Sequence, residues 1–579
     1  MSSRLTDVPS LAAGAGGVGH CPARHVAAGA GGRNSTRSSA TSSRACSALS
    51  CLCRGSCHAS TGKGRTRGGP RGTVGQRPPP LSQGCDRIEY RARLVRVGYG
   101  ETRQTHADGR AGRSMPQTAT YQADDFAALD ATQCAAIIHS GAASADEVQS
   151  AAQARIAAAN PSLNAITTAI FDIGQYRGRQ AAPFSGVPIV VKDNENLAGT
   201  QTSHGSNAVP RTVSRATSPF VSQLLELGFT ILAKTTLPEF GLTATTESDR
   251  FGATRNPWNT DHTVGGSSGG SAALVAAGAV PLAHANDGGG STRIPASCAG
   301  LVGLKPSRGR LIAPEGTEQM PVNVVAQGAV TRTVRDTANL YAALEQLRPA
   351  QNLPPIGSVT RPGSRRLRIA FCPVSFGEMP AAPTTVAALQ QTAELCQELG
   401  HHVVQIDNPV PEQFGRDFLR YWGFLALALS NFGTQLFGDG FDKKQVTDFV
   451  QSFGRFSRGQ LAGLPATISR LRGFAAEYES ARAGYDVILT PTLGREPPPI
   501  GYLGPGVAFR THVIRLMRFA SFTAPQNVSG TPAISLPTGC FGPNGVPLGA
   551  QFSGALGSER MLLELAFEIE EAQPWGQPG

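Results

Sequence analysis

Two glycine- and serine-rich loops flank one segment of small residues between positions 265 and 295. The first reads Gly265-Gly266-Ser267-Ser268-Gly269-Gly270-Ser271, and the second Asn286-Asp287-Gly288-Gly289-Gly290-Ser291-Thr292-Arg293-Ile294-Pro295. A lone Gly/Ser run is ordinarily a linker. Here an Ala-rich helix to about Gly278 and an apolar run Val280 to Ala283 lie between the two, and a linker does not need a tightly packed helix in its middle. Glycine lets successive backbone N–H groups face a common point, which makes a nest for an anion or for the oxyanion of acyl transfer. Ser291 closes the second loop, so its hydroxyl would lie beside those donors.

A serine hydroxyl is a poor nucleophile until a base takes its proton. His284 is the nearest imidazole in sequence, but it sits in a strand-like run and reads as a core or strand-end residue. Lys192 is the stronger candidate because it follows the compact apolar run Val187 to Val191. An ammonium at the end of a buried strand is desolvated, its pKa falls, and the neutral amine can act as a base near pH 7. Spacing alone leaves open a solvated strand-end lysine.

These groups need a scaffold, and the chain from Met115 onward reads as alternating helices and short strands. Ser144 with Glu147 forms a capping box for a helix to about Ala159, where Asn160-Pro161 stops it. Val187 to Val191 is a strand, Ser218-Pro219 opens a helix that Gly228 closes, and Phe229 to Ala233 is a second strand. A third unit comprises Leu367 to Phe371, a helix ending before Gly400, and His402 to Ile406. The apolar stretch Trp422 to Leu429 reads as a buried helix segment. Strand, helix, strand units of this length predict an α/β class chain, one large α/β/α domain with a mainly parallel mixed sheet covered by helices. Ligand sites in such sheets lie beyond the carboxyl ends of strands, where Lys192 falls.

The charge is divided unevenly. The 579 residues carry a formal net charge of +11, yet residues 1–114 hold 18 Lys and Arg against 5 Asp and Glu, leaving 34 against 36 for residues 115–579. Basicity therefore argues for no nucleic-acid partner of the 115–579 body. Residues 1–114 are rich in Gly, Ser, Ala and Arg and are expected to be a disordered tail, a transit-like segment, or a stretch before a true start at Met115. Its Gly14, Gly16 and Gly19 lack the strand and acidic residue of a dinucleotide site, and Cys46, Cys51, Cys53, Cys57 and His58 lack paired zinc spacing. Eleven scattered cysteines fit a reducing, cytoplasmic compartment, and the chain holds no run of 18 apolar residues to cross a membrane.

The span Gly265 to Lys305 resembles the signature of the amidase signature family. It has the paired-serine loop, 24 residues from Ser267 to Ser291, the core Asp287-x-Gly-Gly-Ser291-x-Arg293-x-Pro295, and Gly303-Leu304-Lys305-Pro306. Val191-Lys192-Asp193-Asn194, Pro238-Glu239-Phe240-Gly241, Arg255-Asn256-Pro257-Trp258 and Asp486 to Thr492 agree with it, and the likeness covers about residues 124 to 576. Asn286-Asp287 and Arg293 to Ser297 are similar to the branch of the 6-aminohexanoate cyclic dimer hydrolase. The resemblance implies an amidase with Ser291 as nucleophile, Ser267 in a cis peptide as proton relay and Lys192 as base. It further implies an oxyanion hole from the N–H groups of Gly288, Gly289, Gly290 and Ser291, with Asp287 and Arg293 bracing the loop and no metal or cofactor. The family commonly has Cys directly before the residue at Gly300, whereas Ala299 stands here and Cys298 is one earlier, a packing residue rather than a nucleophile.

Three rivals differ in class. Gly265-x-Ser267-x-Gly269 and Gly266-x-Ser268-x-Gly270 fit an α/β-hydrolase elbow, but Asn259 to Val264 before them looks polar and turn-like. A glutaminase subunit of a tRNA-dependent amidotransferase would share the family residues. A protein led by its basic tail to RNA or membrane surfaces would not need the loops. The expected partner is a small-molecule amide, with no membrane, and a homodimer is left open. Phe418, Tyr421, Trp422 and Phe424, within about Phe414 to Phe456, suggest an apolar or aryl acyl pocket, although core packing accounts for them equally well.

Overall fold

Eleven strands form one sheet whose inner strands are buried on both faces and whose two edge strands are more exposed. The computed structural model describes residues 124–576 apart from 171, 377 and 378. The strands are β1 (Ile166–Ala169), β2 (Pro188–Lys192), β3 (Thr230–Thr235), β4 (Leu282–Asp287), β5 (Val302–Lys305), β6 (Ala326–Thr331), β7 (Arg368–Phe371), β8 (His402–Gln405), β9 (Val487–Pro491), β10 (Ala533–Phe541) and β11 (Pro547–Gly554). They lie side by side as β1-β3-β2-β4-β6-β5-β10-β11-β9-β7-β8. Alternate side chains leave opposite faces, so Ile189 and Val191 of β2 join one helix-backed core while Val190 joins another. In the other half Ile369 and Phe371 face one layer and Ala370 the opposite one. Helices cover both faces, as the strand and helix spacing predicts.

The pairing corrects one expectation. Parallel pairs occur only towards the flanks, β2 with β3 and β4, and β7 with β8 and β9. The six other adjacent pairs are antiparallel. Parallel neighbours need a long crossover, whereas β10 and β11 are joined by the short Gly542 to Val546 connection, which folds as a hairpin. The sheet is thus mixed rather than mainly parallel.

Local signals fare well, with instructive slips. Both halves of the Ser144/Glu147 capping box form, with Ser144 N–H donating to Glu147 at 2.7 Å and Glu147 N–H to Ser144 Oγ at 3.2 Å. The helix runs to Leu163, past Pro161, and Asn164 ends it in a left-handed conformation at φ 52°. Ser218 stands at the start of the helix Pro219–Glu226 without capping it. Its hydroxyl donates instead to Glu195 at 2.6 Å. The stretch expected to be turn-like, Asn259–Thr263, is a strand of a two-stranded ribbon with Arg255–Asn256. That ribbon lies outside the main sheet, so it supplies no elbow strand for Ser267. Residues 1–114, with their proposed tail and its discounted motifs, lie outside the described residues.

Candidate active site

Lys192 is the last residue of β2, and its position follows from the apolar run before it: five consecutive buried residues carry the chain through the sheet and deliver the amine at the strand's carboxyl end. The side chain is 1% exposed. Its Nζ donates to Ser267 Oγ at 2.8 Å and to Asn286 Oδ1 at 2.7 Å. Burial pulls the amine down to about 7, against the opposing pull of Asp287 and Glu195. A solvated strand-end lysine is therefore not what the fold builds.

Ser267 follows a cis peptide bond to Gly266. The loop is held by close backbone approach, since a Cβ on Gly266 would stand 2.8 Å from the Thr245 carbonyl carbon. After it comes the helix Gly269–Ala276, every residue of which is buried. Small residues are required there, because a Cβ on Gly269 would lie 2.2 Å from Thr246 Oγ1. This helix and β4 carry the chain to the second loop, where Ser291 is 8% exposed and lines an apolar pocket.

The second loop is organised by one buried ion pair. Asp287 accepts from Arg293 Nε at 2.9 Å and Nη2 at 2.8 Å, and both side chains are withdrawn from solvent. Arg293 also reaches Gln526, Gln551 and Asn527, and Asn527 donates to Asp287 Oδ1 at 2.9 Å. Burial alone would raise the Asp287 carboxyl, but Arg293 and Asn527 outweigh it and hold the group well below the usual carboxylate range. Gly290 gives its N–H to Asp287 Oδ1 at 2.7 Å. It is therefore not a free oxyanion donor, contrary to the expected set of four. The N–H groups of Gly288, Gly289 and Ser291 make no hydrogen bond among the described residues. Gly290 has φ 128°, and a Cβ there would meet Thr523 Oγ1 at 2.3 Å, so only glycine fits.

The sequence reading assigns no role to three neighbours, Asn286, Gln327 and Glu195. Asn286, which in the sequence only opens the second loop's motif, is the second acceptor for Lys192. Behind the strand end runs a buried chain: Lys192 N–H donates to His284 Nδ1 at 3.2 Å, His284 Nε2–H to Gln327 Oε1 at 3.0 Å, and Gln327 to Glu195 at 2.7 Å. This fixes His284 as neutral, and burial takes it down to about 4. His284 is the core strand residue expected, and it anchors the backbone of Lys192. Cys298 is fully buried on the helix Arg293–Ala299, and burial pushes its thiol far up, so it packs and does not react.

The four aromatic residues separate by helical face. Phe418 and Trp422, one turn apart on the helix Gln413–Asn431, line the pocket with Ser291. The Trp422 ring would lie 3.3 Å from a Cβ on Gly288, and Phe418 3.4 Å from one on Gly289. Tyr421 and Phe424 point the other way into the core and are fully buried. Core packing thus explains two, and the pocket the other two.

An α/β sheet sets Lys192 against Ser267, and the N–H of Ser268, donating to the Ser291 carbonyl at 3.3 Å, joins that loop to the one whose serine lines an apolar pocket, an arrangement suited to a hydrolase. A family model described as Amidase matches residues 147–563. The chain belongs to the amidase signature family. It is 45% identical over 468 residues to "Putative amidase AmiC" of Mycobacterium tuberculosis (strain ATCC 25618 / H37Rv), covering 80% of this chain and 98% of that one. It is 36% identical over 477 residues to the 6-aminohexanoate-cyclic-dimer hydrolase of Paenarthrobacter ureafaciens, covering 77% and 95%. A solved structure of 6-aminohexanoate cyclic dimer hydrolase complexed with substrate superposes with TM-score 0.69 at 31% identity, covering 79% of this chain and 99% of that one.

Proposed function

We propose that the protein hydrolyses a linear carboxylic acid amide to carboxylate and ammonia or amine, through an acyl-enzyme on Ser291. The single observation that carries this reading is Lys192 Nζ at 2.8 Å from Ser267 Oγ, in a buried site that lowers the amine to about 7. Ser291 Oγ attacks the carbonyl carbon and passes its proton to Ser267, whose own proton goes to Lys192. The oxyanion so formed is met by the free N–H groups of the Gly288 to Ser291 loop. Return of the proton to the leaving nitrogen breaks the C–N bond, and water then repeats the sequence to release the carboxylate. Asp287 and Arg293 hold the loop in shape. No step calls for a metal or cofactor.

The direct test is to quench turnover of a slow amide and map the acyl mass. An adduct on the peptide carrying Ser291 is expected, and an adduct on another serine would overturn the assignment.

The pH dependence follows from the sign of the Lys192 shift. With the amine lowered to about 7, the competent neutral form is lost as pH falls through that value. kcat/KM should rise to a plateau above neutrality and drop to about a tenth of it one pH unit below the Lys192 value. Lys305 is also pulled down to about 7 by burial, but its Nζ donates to Pro306 O at 2.7 Å and bonds neither serine. Lys305→Met should therefore keep the acid limb in place.

A further inference from the structure

The apolar pocket beside Ser291 shares three wall residues, Phe376, Leu419 and Met517, with a second cleft of about 770 Å³ that opens to solvent. The inner pocket is lined by no charged side chain. The outer cleft is different, with Arg416, Arg495 and Arg518 against one carboxylate, Glu412. Glu412 lies 3.5 Å from Arg416, so that pair is neutralised internally. Arg495 Nη1 donates to the Tyr502 hydroxyl at 2.8 Å, and its Nε is shielded from water without a partner. Arg518, in the last turn of the helix Phe509–Phe519, is exposed, and its guanidinium makes no hydrogen bond or ion pair among the described residues. Two guanidinium groups with no carboxylate partner thus line a cleft that shares its Phe376, Leu419 and Met517 wall with the apolar pocket beside Ser291.

We propose that this outer cleft is a distal subsite for the substrate's acyl chain, and that the enzyme prefers amides whose chain is apolar beside the carbonyl and ends in a carboxylate received by Arg495 and Arg518. The inference rests on the reading of Ser291 as nucleophile. Its physical basis is twofold. An uncharged, aromatic-walled pocket favours methylene groups over water, and a guanidinium fork matches a carboxylate with two parallel hydrogen bonds. Because the cleft is open, the attraction is partly screened and will weaken with salt.

The test compares monoamides of linear dicarboxylic acids, in increasing chain length, with the matching n-alkanamides on the purified full chain. At one chain length kcat/KM for the carboxylate-bearing amide should exceed that of its alkanamide by about tenfold or more, with the margin shrinking as salt rises. Arg518→Ala, at an exposed position where folding is not at stake, should cut that margin through KM, and adding Arg495→Met should erase it. Alkanamide turnover should stay at the wild-type level in both variants. Absence of preference at every length, or a preference that survives both substitutions, would overturn the subsite while acyl adducts on Ser291 still form. Absence of any adduct with either series would overturn the reading of Ser291 and the subsite with it.

Discussion

Replacing Lys192 with methionine is expected to lower kcat by about 10⁴-fold or more, with the protein still folded. The side chain fills a buried slot at the end of β2, and methionine occupies similar volume without leaving a charge behind. What would be lost is the proposed acceptor for the Ser267 proton, Nζ, which lies 2.8 Å from that hydroxyl. Lys192→Arg should be equally inactive. A guanidinium keeps the positive charge but stays protonated at any working pH, so it cannot take the proton. The pair of variants therefore separates a base from a fixed charge. Rescue by arginine would mean that the cation matters rather than its loss of a proton. Near-normal activity in Lys192→Met would mean that another group, such as an imidazole of an esterase-like site, activates the serine. Circular dichroism and the melting profile show whether the fold is retained.

The reach of the sequence can be judged from this same site. Lys192 and Ser291 stand out as candidates because their signals are local, an apolar run ending in lysine and a serine closing a glycine loop, whereas Ser267 is singled out only by the family resemblance. Asn286, Gln327 and Glu195 do not stand out, because their roles depend on sheet register. Gln327 becomes the partner of His284 only because β6 runs antiparallel to β4, placing Gln327 opposite Asn286. Strand, helix, strand spacing reveals parallel crossovers and is silent about which strands meet in the centre, so the antiparallel middle of the sheet was not legible. The Gly290 donor was misassigned for a related reason. A glycine run shows that N–H groups can converge, but which of them a neighbouring carboxylate claims is settled by the fold of the loop. Phe418 and Trp422 could have been separated from Tyr421 and Phe424 by helical phase, yet phase alone does not say which face meets a pocket.

Asp287→Ala is expected to destabilise the protein by about 3–5 kcal/mol and to suppress turnover in the fraction that remains folded. Asp287 and Arg293 are 1% and 0% exposed, so removing the carboxylate leaves a guanidinium deep in the protein without its counter-charge. The amide oxygens of Gln526, Gln551 and Asn527 remain as acceptors but carry no charge to balance it. The same deletion frees Gly290 N–H, which the carboxylate holds at 2.7 Å, and Thr292 N–H at 3.2 Å, so the turn that presents Ser291 loses its internal template. Arg293→Met serves as the control, because it also breaks the pair but leaves a carboxylate that can protonate, and the double variant should be less destabilised than the two single losses added together. Urea denaturation of the four proteins measures the stabilities. Rates per folded molecule then report whether the loop still positions its serine. If Asp287→Ala unfolded at the wild-type midpoint, the ion pair would not be what holds the loop, and the neutral network around Asn527 would have to carry it alone.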